Sequence, residues 1–78
     1  MTPKQAAAHV FEKCGQSIYG QFAVILSPDK SDVRLTSPKT RLLERTLETT
    51  PELFVGVYDI NSHEEDIHAD LIHSGMLS

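Results

Sequence analysis

The chain has 78 residues, a formal net charge of −4 and one cysteine. This length has room for one small core, and the lone Cys14 excludes a disulfide framework. No segment approaches the roughly 20 apolar residues of a membrane helix, so we expect no membrane contact and a single domain over residues 1–78. Because unpaired thiols are typical of reducing compartments, we expect a cytoplasmic protein.

The first predicted helix begins at Thr2. Thr2, Pro3 and Gln5 have the arrangement of an N-cap, a proline at the first helical position and a capping-box glutamine. Gly15 is the predicted end of the helix. Apolar residues at helical spacing predict one buried face, which consists of Ala6, Ala7, Val10, Phe11 and Cys14. Cys14 is therefore interpreted as a core residue.

Three segments favour β-structure. Residues 18–26 are apolar on both faces, which predicts the central strand of a sheet. Residues 27–31 have the composition of a turn, and residues 33–35 are predicted to return as a short edge strand. Residues 53–60 predict a third strand, in which Gly56 indicates a bulge or the close packing of another element.

Two further helices have start signals of their own. Ser37 and Pro38 predict a cap and a first helical residue, and Pro51 predicts the end of this second helix. Its expected apolar face is Leu42, Leu43, Thr46 and Leu47. Residues 62–65 form a second capping box, which opens a third helix. Its expected apolar face is Ile67, Leu71, Ile72 and Met76, and Gly75 is expected to fray its end.

The predicted order is α-β-β-α-β-α, which indicates an α+β fold. A right-handed crossover through the second helix places the third strand beside the first and parallel to the second. We therefore predict a three-stranded mixed sheet in the order 2-1-3, packed by helices.

Charge is divided unevenly along the chain. Residues 1–45 contain all seven Lys and Arg against four acids, whereas residues 46–78 contain seven acids and no Lys or Arg. We define an acidic surface as the predicted binding site for a protein partner: Asp59, Glu64, Glu65, Asp66 and Asp70. A basic segment over residues 30–45 is the alternative site, for nucleic acid: Lys30, Arg34, Lys39, Arg41 and Arg45.

The run from Asp32 to Thr50 resembles the strand and first helix of ribbon-helix-helix DNA-binding proteins. This resemblance covers less than a third of the chain. The family has a second helix where residues 54–58 favour a strand, so no functional residue is transferred from it.

The histidines of the third helix are candidate groups for metal binding or acid–base chemistry. His63, Asp66, Asp70 and His73 line one side of the helix and are donor types that Zn²⁺ accepts. One helix makes a poor tetrahedral cage, so we expect a solvated face and no metal or cofactor. His68 falls on the apolar side and is interpreted as a core or interface histidine, in preference to a catalytic base.

Together these patterns predict a small, non-enzymatic binding or regulatory protein that acts through protein–protein contact, as a homodimer. The contact would use the acidic surface or an uncovered face of the sheet. Accessory and inhibitor proteins of mobile elements are of this size. The alternative is a nucleic-acid-binding protein that uses the basic segment.

Overall fold

A computed structural model describes residues 1–16 and 20–77. In chain order the elements are α1 (Pro3–Gln16), β1 (Phe22–Leu26), β2 (Val33–Thr36), α2 (Arg41–Thr49), a 3₁₀ turn (Pro51–Leu53), β3 (Phe54–Tyr58) and α3 (Glu64–His73). The predicted α+β fold and its order of elements are confirmed. The central strand begins at Phe22, later than the predicted start at residue 18, and residues 18 and 19 of the prediction lie outside the described residues.

The sheet has the predicted order β2-β1-β3, with β1 in the centre. The prediction of a mixed sheet is wrong, because β1 pairs antiparallel with both neighbours. The tight hairpin reverses the chain between β1 and β2, and the crossover through α2 returns β3 in the direction of β2. The two edge strands therefore run the same way without pairing with each other.

Of the two alternatives that Gly56 indicates, the bulge is confirmed. Val24 pairs with Gly56 and Ile25 pairs with Phe54, which leaves Val55 as an extra residue on β3. A Cβ atom at Gly56 would lie 2.9 Å from the hydroxyl oxygen of Tyr58, so glycine also makes room for that side chain.

One face of the sheet is covered by α1 and α3. Tyr58 pairs with Phe22, and paired residues share a face of the sheet. Its hydroxyl donates a hydrogen bond of 2.7 Å to Oδ2 of Asp70 on α3, so α3 lies over the face that also carries Val24 and Leu26. Helix α1 packs along α3. Most of the core is on this side, and Val24 and Leu26 are both fully buried.

The opposite face is covered in part by α2. Thr36 pairs with Ala23, and its Oγ1 lies 2.9 Å from Oγ1 of Thr40, the N-cap residue of α2. Helix α2 therefore lies over Ala23 and Ile25. It has only nine residues, so it covers a narrow strip of this face, and Val57 of β3 stays largely exposed.

Helix α1 begins as predicted. The Gln5 backbone N–H donates to Thr2 Oγ1 at 3.1 Å, and the Thr2 N–H donates to Gln5 Oε1 at 3.0 Å, which is a complete capping box. The predicted buried face is confirmed except for Phe11, which is 43% exposed. The helix continues one residue beyond Gly15.

Helix α2 begins later than predicted. Thr40 is its N-cap residue and accepts from the Leu43 N–H at 3.4 Å, in place of Ser37. Leu43 and Thr46 are buried as predicted. Leu42 and Leu47 are 38% and 46% exposed, because the narrow contact with the sheet does not reach the two flanks of the helix.

Helix α3 also differs from its prediction at both ends. His63 occupies the N-cap position without a side-chain bond, because the Ser62 hydroxyl accepts the Asp59 N–H instead. At the other end Gly75, with φ +88°, forms a defined cap. The Gly75 N–H donates to the Ile72 carbonyl and the Met76 N–H donates to the Leu71 carbonyl, which is a Schellman motif.

The tip of the β1–β2 hairpin contacts both ends of the chain. The Leu77 N–H donates to the Lys30 carbonyl at 2.8 Å, and the Met1 ammonium lies 3.5 Å from the Ser31 carbonyl. Within the described ranges, 1–16 and 20–77, no helix has the length and apolar character needed to cross a membrane.

Candidate interaction surfaces

Three members of the acidic surface extend freely into solvent. Glu64, Glu65 and Asp66 occupy the first turn of α3 and are all exposed. Carboxylates are stabilised there by the positive end of the helix dipole, by about 0.3–1 kcal/mol each. The turn therefore concentrates negative charge at one end of the molecule without loss of helix stability.

The other two members have internal partners. Asp59 is half-buried and accepts the Asn61 N–H at 2.9 Å through Oδ1. This bond shapes the loop before α3. Asp70 accepts the Tyr58 hydroxyl at 2.7 Å. Both acids therefore have a structural role in addition to their charge. The bond of Asp59 is a local one between residues two apart, whereas the bond of Asp70 joins separate elements, which no short-range pattern in the sequence reveals.

The contact between Tyr58 and Asp70 fixes the protonation state of the phenol. Tyr58 is buried. Burial raises the pKa of Tyr58 well above its usual range, and the hydrogen bond to Asp70 and the negative charges of Asp70 and Asp66 raise this pKa further. The phenol therefore stays protonated and serves as a donor that holds α3 to the edge of the sheet.

An exposed apolar residue lies beside the acids. Ile72 was predicted to be buried, but it is 56% exposed. Ile72 and Glu65 are seven residues apart, which places them on the same side of α3 two turns apart. The exposed side of α3 thus combines carboxylates with an aliphatic side chain.

The basic segment does not form one continuous patch. Arg41 and Arg45 line a shallow groove on the outer side of α2, together with Glu44 and Glu48. Lys39 and Arg34 are exposed on the preceding loop and on β2. Lys30 lies instead against the end of α3, where its Nζ is 3.4 Å from the position of a Cβ atom on Gly75.

A second groove, of about 340 Å³, lies between α2 and the β1–β2 hairpin. Its floor is apolar and includes Ile25, Val33, Leu42 and Leu53, and Arg34 also lines it. It exists because α2 leaves this part of the sheet uncovered. The sequence predicted an uncovered face of the sheet, but no signal located this groove.

Cys14 is confirmed as a core residue, with 2% of its surface exposed. Burial raises the pKa of the Cys14 thiol, and the negative charge of Asp59 raises it further. A nucleophilic cysteine requires a lowered pKa.

His68 is half-buried. Among the residues that the structure describes, no group of three or more His, Cys, Asp or Glu side chains is placed to hold a metal ion.

The chain was compared with protein-family models, with curated proteins and with solved structures. None of these three comparisons finds a match.

Proposed function

We propose that this protein is a small, non-enzymatic binding protein that acts through protein–protein contact, with the acidic surface as the site for its partner. The observation that supports this proposal is the exposed side of α3. Glu64, Glu65 and Asp66 lie free in solvent there, Ile72 is exposed on the same helix, and residues 46–78 contain no Lys or Arg to neutralise them.

This combination favours a basic partner. Complementary charge guides the approach of two proteins and selects the correct orientation. Apolar contact is needed in addition, since exposed ion pairs contribute at most about 1 kcal/mol each. Ile72 supplies an apolar side chain two turns from Glu65. The proposed contact is therefore an aliphatic side chain at one end of α3 and carboxylates at the other, facing Lys or Arg residues of the partner.

The groups best suited to chemistry are engaged in the fold. Cys14 is buried with a raised pKa, and the Tyr58 hydroxyl is bonded to Asp70. This supports a binding role. A cytoplasmic location and an accessory or inhibitory role of the kind that mobile elements encode are part of the proposal, and they rest on the single cysteine and on chain length.

Binding of nucleic acid through the basic segment is the second candidate. Arg41 and Arg45 are exposed on one helix. However, Glu44 and Glu48 line the same groove, and carboxylates at these positions repel phosphate. The structure therefore favours the protein partner, and the nucleic-acid reading is an outcome of the test.

The test reverses two charges on the acidic surface. Asp70 is left unchanged because it accepts the Tyr58 hydroxyl, so the variant is Glu65→Lys with Asp66→Lys. The matched control is Glu12→Lys with Glu52→Lys, which makes the same change in net charge at two exposed positions outside α3. Each protein is immobilised and incubated with a lysate of the source cells, and retained proteins are identified by mass spectrometry.

We expect a protein retained by the parent and by the control, but lost from the α3 variant. Calorimetry with that purified protein at about 0.15 M salt should then show affinity reduced by about tenfold or more. Equal affinity of the α3 variant and the control contradicts the proposal. Binding of duplex DNA by the parent that weakens steeply with salt, and is lost in Arg41→Ala with Arg45→Ala, supports the alternative.

A further inference from the structure

The two edge strands of the sheet carry different side chains. β2 has an exposed cation, Arg34, and a charged side chain on an edge strand discourages pairing with another chain. β3 has the sequence FVGVY, with no charged residue and no proline. The bulge disturbs its start, but residues 56–58 pair regularly with β1. The β3 edge is therefore the one better suited to receive a further strand.

The hairpin between β1 and β2 shows which backbone groups of β1 face which neighbour. The Ser27 N–H donates to the Asp32 carbonyl at 3.0 Å, so Ser27 directs its backbone groups toward β2. Successive residues of a strand in an antiparallel sheet alternate in this direction. Val24 and Phe22 therefore direct their N–H and C=O groups to the other side, toward β3.

On β3 the same alternation leaves Val57 facing outward. Gly56 pairs with Val24 and Tyr58 pairs with Phe22, so these two residues of β3 bond to β1. Val57, between them, directs its N–H and C=O away from the sheet. Among the described residues, none supplies a hydrogen-bond partner to these two groups. A strand placed beside β3 can therefore bond to both.

The two sides of this edge differ in chemistry. On the α2 side Val57 is 44% exposed, beyond the narrow strip that α2 covers. On the α3 side Asp70 accepts the Tyr58 hydroxyl at 2.7 Å. Asp66 lies one turn before Asp70 on α3, close enough for its charge to raise the pKa of Tyr58. Both carboxylates belong to exposed residues. The edge thus has an apolar side chain on one side and two acids on the other.

A strand that adds to this edge must alternate in the same way. Its side chains point to the two faces of the sheet in turn, and the residue level with Val57 has its side chain on the α2 side. An apolar residue fits there. The next residue points to the α3 side, where Lys or Arg faces Asp66 and Asp70. The edge is therefore complementary to an extended segment in which apolar and basic residues alternate.

A second copy of β3 does not have this pattern, because none of its residues is charged. An antiparallel pair of β3 strands, related by a two-fold axis perpendicular to the sheet, also brings α3 of both copies to the same side. Two sets of Asp66 and Asp70 would then approach each other, and residues 46–78 contain no Lys or Arg to neutralise them. Charge therefore favours a basic partner over self-pairing.

We propose that the free edge of β3 binds an extended segment of the partner protein by strand addition, and that apolar residues of this segment alternate with Lys or Arg. The proposal rests on the proposed function, because it describes the part of the same basic partner that contacts Asp66. Backbone hydrogen bonds to Val57 supply affinity, and the alternating side chains supply specificity.

The test uses a fluorescent peptide as a stand-in for this segment, acetyl-Lys-Val-Lys-Val-Lys-Val-amide. Two forms of it are compared, one N-methylated at its valines and the other at its lysines, so that composition and charge are identical. In the proposed complex the peptide valines are level with Val57 and direct their N–H groups toward β3, whereas the lysine N–H groups point away. Methylation should therefore interfere only at the valines.

Fluorescence anisotropy at about 0.15 M salt measures the affinities, with protein up to about 1 mM. The lysine-methylated peptide should bind like the unmethylated one. The valine-methylated peptide should bind about tenfold more weakly or worse, because its backbone bonds to β3 are lost. A peptide with Glu in place of Lys should not bind, since it meets Asp66 and Asp70 with like charge.

Two variants of Val57 form a matched pair in the protein. Val57→Pro removes the outward N–H, and proline is tolerated where this group of an edge strand faces solvent. Val57→Thr keeps the N–H and has a side chain of similar shape. Val57→Pro should bind the peptide about tenfold more weakly or worse, and Val57→Thr should bind it like the parent. The methylated peptides are measured on the parent, so the test does not depend on the folding of Val57→Pro.

Equal binding of the two methylated peptides overturns the proposal, because charge alone would then attract them. So does a lack of binding by the unmethylated peptide up to about 1 mM, or a dimer of the parent that is lost in Val57→Pro, which would make a second copy the occupant. A lysate protein that is lost from the variant with Glu65→Lys and Asp66→Lys, but retained by Val57→Pro, refutes strand addition and leaves the proposed function intact.

Discussion

Helices α2 and α3 differ in how their charges are placed. In α3 the acids Glu64, Glu65 and Asp66 fill the first turn and His73 is in the last, an order that the helix dipole stabilises. In α2 Arg41 opens the helix and Glu44 follows in its first turn, but no basic residue is found in its last turn. The two helices are close in length, so length does not explain the difference.

The order of charges in α3 is explained by the helix itself, and the excess of acid over residues 46–78 is the part that supports the proposed partner. In α2 the order of charges is mixed. Arg41 and Glu48 oppose the helix dipole, whereas Glu44 agrees with it and lies at the favourable spacing i, i+3 from Arg41. Charge order alone therefore does not mark an interface on α2.

The largest expected difference between the two helices is the loss of unfolding free energy when an apolar side chain of each is truncated. Ile67 of α3 is fully buried, whereas Leu47 of α2 is 46% exposed. Ile67→Ala should cost about 2–5 kcal/mol of unfolding free energy, and Leu47→Ala less than about 1 kcal/mol. Denaturant titrations below the concentration of self-association measure both. Equal losses would show that α2 is as tightly packed as α3.

A smaller effect is expected from the bond that holds α3 to β3. Tyr58→Phe removes the donor to Asp70 and should cost about 1 kcal/mol at neutral pH. Folding raises the pKa of Tyr58 above the 10.0 of a free tyrosine, so the unfolded chain releases this proton first. The contribution of this hydrogen bond to the free energy of unfolding is complete below about pH 10 and is lost as the pH rises further.

Melting temperatures measured from pH 8 to 11 test this direction of the pH dependence of stability. The parent should lose more stability above pH 10 than Tyr58→Phe does. Thr46→Val in α2 is the control, since it removes a hydroxyl that donates to the Leu42 carbonyl at 2.8 Å and cannot ionise in this range. Identical pH dependence in the parent and Tyr58→Phe would refute the prediction.

The smallest expected change in stability tests the comparison between the charges of α2 and α3. Glu65→Lys at the start of α3 should lower stability by about 0.3–1 kcal/mol, and Glu48→Lys at the end of α2 should leave it unchanged or raise it by a similar amount. Both positions are exposed and undergo the same change in charge. Urea titrations of dilute protein compare them. A loss of stability in Glu48→Lys would mean that its carboxylate has a favourable contact within the monomer.

Short-range patterns in the sequence were sufficient for much of the fold. The capping box of Thr2 and Gln5 formed as predicted because both partners lie within one turn. The bulge at Gly56 followed from the absence of a side chain there. The start of α2 was placed too early because Ser37 and Thr40 are both suitable caps, and their spacing alone does not decide between them.

The main error of the sequence-based prediction concerns the burial of apolar residues. Periodicity predicted the burial of Phe11, Leu42, Leu47 and Ile72, and all four are exposed. A periodic pattern identifies the apolar side of a helix, but it carries no information on how wide a surface is available to cover it. The bond between Tyr58 and Asp70 was missed for a related reason, because its partners belong to separate elements.

The hairpin tip that contacts both ends of the chain determines how the protein can be attached to a surface. Met1 and Leu77 lie against adjacent residues, Ser31 and Lys30. A tether on either end therefore leaves from the same corner of the molecule. The first turn of α3 is about 15 Å away, at the opposite end of this ten-residue helix. Attachment at Met1 or Leu77 therefore places the support near the same end of α3, and Glu64, Glu65 and Asp66 lie at the other end of that helix.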